Sequence, residues 1–123
     1  MNVWIVAPQK DQTKLLESLR EAPYRVFCND SVKAAFEALP GNLPGGVDAF
    51  VLAGFDASSA ALGLTAIRTH ADVGKTPVLV VHEGFSESDA KTLKTAGAAL
   101  CYRLPFSPAV FAARVRAALA LKG

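Results

Sequence analysis

Cysteine is scarce in this sequence, and charge blocks and long apolar runs are missing. Cys28 and Cys101 stand alone, without CxxC or Cys/His spacing, so neither a zinc site nor a disulfide framework is suggested, and both are expected to be buried or inert thiols. The 13 basic and 11 acidic residues form no run of five or six like charges, and the net charge of +2 names no partner; direct nucleic-acid binding is not expected. No stretch approaches the roughly 18 apolar residues of a membrane span, and the opening residues Met1 to Pro8 lack a basic region or a long apolar run. A soluble, cytoplasmic protein is expected, for which the sequon at Asn29, Asp30 and Ser31 carries no meaning. Gly74, Lys75 and Thr76 copy the tail of a phosphate-binding loop, but Thr69 stands where its first glycine is required. Pro77 then begins a strand where such a loop needs a helix, which excludes nucleotide binding on that motif. No nucleophile–histidine signature or metal-ligand spacing is present, so neither enzyme activity, cofactor nor metal is expected.

What the sequence does hold is alternation. About half of its 123 residues are hydrophobic, enough for one core, and the whole of 1–123 reads as one domain. A β-rich run at residues 3–7 ends at Pro8, and Asp11 opens a helical segment with Leu15, Leu16 and Leu19 on one face. A second run at 24–28 precedes a helix capped by Asp30 or Ser31 and carrying Val32, Ala35, Phe36 and Leu39. The Gly/Pro-dense segment 40–46 reads as a connector into the continuous apolar run 48–53, a strand covered on both faces. Residues 58–69 place Ala61, Leu64 and Ile67 at helical spacing, although Gly63 costs roughly 1 kcal/mol relative to Ala. Residues 77–81 form the plainest buried strand; Ser86 with Asp89 makes a capping box for a helix over 86–96, which Gly97 ends. Residues 100–103 give a fifth strand, and Ser107 with Pro108 opens a last helix with Phe111, Val115 and Leu119 inward.

Five such βα units predict an α/β fold, a doubly wound parallel sheet of five strands in the flavodoxin-like order 2-1-3-4-5, with helices on both faces. Sites in these sheets lie beyond the carboxyl ends of the strands, here residues 7–9, 53–55, 82–83 and 104–105.

Several pieces resemble one family. Residues 75–81 (Lys-Thr-Pro-Val-Leu-Val-Val) look like the fourth strand of response-regulator receiver domains. Ala96, Gly97 and Ala98, followed by Leu104, Pro105 and Phe106, resemble that family's Ala-Gly-Ala and Lys-Pro-Phe signature, and Val47-Asp48 resembles the Pro-Asp before the phosphoacceptor strand. The resemblance implies a bacterial two-component signalling module, and it also implies what is missing. Receiver chemistry needs a carboxylate cluster, because Mg²⁺ takes hard oxygen ligands and the transferred phosphoryl group needs its charge offset. Ala7 and Pro8 stand where receivers carry an acidic pair, Ala53 at the acceptor aspartate, His82 at the switch hydroxyl and Leu104 at the lysine. A pseudo-receiver that takes no phosphate is the expectation. Asp56 could replace the acceptor only from a loop position without a paired carboxylate. The switch aromatic maps to Cys101, and Tyr102 beside it should point to the opposite face of its strand.

The resemblance also places a partner surface on the last helix, the last strand and the helix before it. Lys91, Lys94, Cys101, Arg103, Arg114 and Arg116 would serve a protein partner, a homodimer or an output domain beyond the last helix. Two further readings stay open. The pocket around Pro8, Ala53, His82 and Leu104 could admit a small metabolite instead of phosphate, and His82 with Glu83 could sense pH or bind an anion or a metal. His70 is expected at the surface, near a helix end.

Overall fold

The computed structural model describes residues 1–39, 46–70, 73–82, 84, 86–103 and 107–121, with the Arg103 side chain outside that set. Five strands, β1 (Asn2–Val6), β2 (Arg25–Asn29), β3 (Ala49–Ala53), β4 (Val78–His82) and β5 (Leu100–Arg103), pair in parallel in the order β2-β1-β3-β4-β5. The helices α1 (Gln9–Ser18), α2 (Val32–Ala38), α3 (Ala57–Thr69), α4 (Glu87–Thr95) and α5 (Pro108–Ala120) alternate with them. The predicted doubly wound sheet is therefore the observed one. Parallel neighbours joined through helices leave no wet face, so β1, β3 and nearly all of β4 are buried throughout.

Alternation along each strand sorts the core into two layers. Trp4, Val6, Phe50, Leu52, Val80 and Cys101 face α2, α3 and α4, which contribute Ala35, Leu64, Ile67 and Leu93. Val3, Ile5, Ala7, Val51, Ala53 and Val81 face α1 and α5, which contribute Leu15, Leu19, Phe111 and Val115. Cys101 and Tyr102 fall in opposite layers, as strand periodicity predicts.

Four helices are capped by side chains that accept a backbone N–H: Ser31 for α2, Asp56 for α3, Ser86 for α4 and Ser107 for α5. The capping box of Ser86 and Asp89 and the Pro108 start are as the sequence predicts. Several boundaries and faces differ. Helix α1 begins at Gln9 rather than Asp11, with Pro8 as N-cap at φ -53° and ψ 144°; Asp11 occupies the first turn, where its charge suits the helix dipole. Leu16 is turned outward at 37% exposure, while Leu15 and Leu19 face the core. In α3 the Asp56 cap sets the phase, so that Ala60 rather than Ala61 is fully buried. Gly63 has a packing reason: a Cβ there would lie 3.2 Å from Val32 Cγ2 and 3.3 Å from Leu52 Cδ1. Asp48 precedes β3 instead of opening it, buried and accepting the Asn2 backbone N–H at 2.6 Å. Segment 40–45 lies outside the described residues.

Arg68, which the sequence reading passed over, fastens the amino-end loops. From the last turn of α3 its guanidinium donates to the carbonyls of Gly74 (3.1 Å), Thr76 and Gly97 (3.0 Å from Nε). Gly97, at φ +118°, ends α4 against that side chain, and a Cβ there would sit 2.9 Å from Arg68 Nε.

Candidate functional site at the carboxyl edge of the sheet

The ends of β1, β3 and β4 converge, bringing Ala7, Pro8, Ala53 and His82 to one rim. Register explains it: Val6 pairs with Leu52, and Ala53 with Val81. Ala7 is 0% exposed and Ala53 3%, both packed in the apolar layer under α1 and α5. Gln12 donates to the Ala7 carbonyl at 3.0 Å, and the Gly54 N–H donates to the Val81 carbonyl at 3.1 Å, which ties the loops after β1 and β3 to the sheet.

Gly54 adopts φ +83°, a conformation that side chains disfavour, and a side chain there would also displace the Asp11 carboxylate. A Cβ there would lie 2.7 Å from Asp11 Oδ2 and 3.1 Å from Pro8 Cδ. The Asp11 carboxylate, which the sequence reading treated only as a helix start, thus reaches over the loop beside Ala53 and pairs with Lys14 at 3.4 Å. No sequence signal marks it, because the approach joins residues 43 positions apart.

His82 is half-buried, and its Nδ1 accepts the Gly84 N–H at 2.8 Å. Asp56 caps α3, accepting the Ser59 N–H at 2.8 Å. Its pKa is held below the ordinary carboxylate value, first by the Ser59 backbone hydrogen bond, then by the Ser59 hydroxyl, with a smaller contribution from His82. Glu83, Leu104 and Pro105 lie outside the described residues.

A receiver's Mg²⁺ does not fit the donor set on this rim. Ala7, Pro8 and Ala53 bring no side-chain oxygen, Asp11 is paired with Lys14, and Asp56 is committed to its helix. Among the described residues no group of three or more His, Cys, Asp or Glu side chains could hold a metal ion.

The partner surface foreseen from the sequence is brought together only in part. Helices α4 and α5 flank the edge strand β5 from opposite faces, with Lys91, Lys94 and Arg116 exposed. Arg114 is half-buried, its guanidinium carbon 4.0 Å from the centroid of the Tyr102 ring, a cation–π contact. Cys101 is not a surface residue: at 8% exposure it points into the α2–α4 layer. The Arg103 side chain is outside the described residues. His70 is likewise half-buried, its ring 4.5 Å from that of Phe36, because the end of α3 turns it toward α2. Among the described residues no helix is long and apolar enough to cross a membrane.

Neither a protein-family model nor a curated protein sequence matches the chain. Solved structures do. A protein described as a response regulator from Chloroflexus aurantiacus superposes with a TM-score of 0.78 at 25% identity, covering 97% of each chain. A response regulator from Thermotoga maritima gives 0.79 at 18% identity, again over 97% of each. The receiver domain of a sensor histidine kinase from Pseudomonas aeruginosa, with a magnesium ion coordinated in its active-site cleft, gives 0.75 at 17% identity and the same coverage. The structural neighbours of this chain are thus response-regulator receiver domains.

Proposed function

We propose that the chain is a receiver-like module of bacterial two-component signalling that does not accept phosphate and acts through protein contacts, as a dimer or on an output partner. One observation carries the reading. The position that ends β3 at the rim is Ala53, a methyl group packed in an apolar layer, and its neighbours across the rim are Ala7 and Pro8 rather than carboxylates. None of these three side chains carries an oxygen to attack a phosphoryl donor or to anchor the metal that such a transfer uses, and the Asp11 carboxylate that reaches beside Ala53 is paired with Lys14. Asp56 does not substitute, because its oxygen accepts the Ser59 N–H in the α3 cap. Signal transfer would then depend on surfaces such as the exposed Lys91, Lys94 and Arg116 around β5, where rim charges steer association more than they hold it.

The test is incubation of the chain with acetyl phosphate and Mg²⁺, followed by intact mass, together with beryllofluoride titration followed by amide NMR. Unchanged mass and no saturable Mg²⁺-dependent shift are expected. Stoichiometric phosphorylation would sink the proposal.

A further inference from the structure

A groove of about 620 Å³ runs between α2 and α3, within the roughly 300–1,000 Å³ of small-molecule sites. Val6 and Leu52 from the sheet, Phe36 from α2, Leu62 from α3 and Phe55 line it. Leu62 is 75% exposed, a large apolar side chain left in water beside two half-buried phenylalanines. Such a patch gains by being covered.

The rim carries charge on one side only. Asp30, Lys33 and Glu37 follow one another at spacings of three and four along the α2 side, while the α3 side offers Ser59, Gly63 and Ala66. None of the three charged groups has a partner among the described residues, so the rim holds two free carboxylates to one ammonium in a chain whose net charge is +2. A cationic group entering from solvent meets Asp30 or Glu37. An anionic one meets Lys33 with a carboxylate on either side.

We propose that this groove binds a small molecule with an apolar body and one amine group. A partner helix is the poorer fit: α2 spans seven residues, about 10 Å, and Phe36 is held against His70 at 4.5 Å, which leaves such a helix about two turns of contact. The site is distinct from the altered rim. Val6 and Leu52 immediately precede Ala7 and Ala53, but they point to the opposite face of the sheet. Binding therefore involves no phosphoryl chemistry and stands or falls independently of the function proposed above.

Three probes that share one body separate the contributions: 4-phenylbutylamine, 4-phenylbutanol and 4-phenylbutyrate, titrated into the full chain and followed by ¹H–¹⁵N spectra. Saturable shifts confined to Val6, residues 30–37, Leu52 and residues 55–66 are expected, with the amine bound tightest and the carboxylate weakest. Glu37→Gln, at an exposed position, should weaken the amine about three- to fivefold and leave the alcohol unchanged. Leu62→Gln, also exposed, should weaken all three. The proposal is overturned if no probe gives saturable shifts, if the shifts map elsewhere, if the carboxylate binds as tightly as the amine, or if Glu37→Gln affects the alcohol and the amine alike.

Discussion

On the α1/α5 side of the sheet, Phe111, Val115, Leu15 and Leu19 meet Val3, Ile5, Ala7, Val51 and Ala53 in a continuous buried layer. On the α2/α3 side, the tryptophan and phenylalanine of the same strands are covered, yet a groove remains open with Leu62 exposed above it. The same strands supply both sides, so the difference lies in the helices. Helix α5 is 13 residues long and lays four fully buried side chains on the sheet, whereas α2 is seven residues long and buries only Ala35 completely. A short helix cannot close the layer it covers, and the space it leaves becomes available to a ligand.

The largest expected effect sharpens this contrast directly. Phe111→Ala should cost about 3–5 kcal/mol in urea denaturation, since its ring fills a closed layer, while Leu62→Ala should change stability by no more than about 0.5 kcal/mol. Comparable losses would break the comparison.

The open side is nevertheless fastened at its amino end. Arg68→Ala removes the donors to Gly74, Thr76 and Gly97 and should cost about 2–3 kcal/mol by the same measurement. Arg68→Lys should recover only part of that, because an ammonium cannot span three carbonyls as a planar guanidinium does. A loss below about 0.5 kcal/mol would mean that water replaces the guanidinium at little cost.

The smallest effect concerns the thiols, one on each side. Cys28 on β2 and Cys101 on β5 stand at opposite edges, four strand spacings or roughly 19 Å apart, too far for a disulfide. Burial raises both thiols above the ordinary value. Groups raised in the folded state contribute stability that is full below the ordinary thiol pKa and is lost as pH rises through the folded values. Stability should therefore decline modestly on the alkaline side, and iodoacetamide should label the native chain more slowly than the unfolded one, Cys28 before Cys101. Equal labelling of native and unfolded protein would contradict the burial.

Most of the fold was legible because its signals are local. Apolar runs marked all five strands, and Ser31, Ser86, Ser107 and Gly97 marked helix ends through hydrogen bonds made within a few residues. Boundaries slipped where two residues competed for one role, as Pro8 and Asp11 did at α1. The rim was legible in part: strand order sets Ala7, Pro8, Ala53 and His82 at neighbouring strand ends. Cys101 is buried, as expected of a thiol outside any metal or disulfide pattern, and so does not join the partner surface on which it was also placed. The reach of Asp11 over Gly54, the Arg68 contacts and the α2/α3 groove had no local signature, since each depends on segments far apart in the chain.

By itself, then, the amino-acid order determined the alternation of strand and helix and the parallel sheet, because hydrophobic period and capping act over neighbouring residues. It also determined that two methyl groups and a proline, those of Ala7, Ala53 and Pro8, stand at the rim. The tertiary structure alone decided how completely each face is closed, which charged groups are left without partners, and where an apolar body can enter. Those outcomes follow from helix length and approach across the sheet, which no single segment contains.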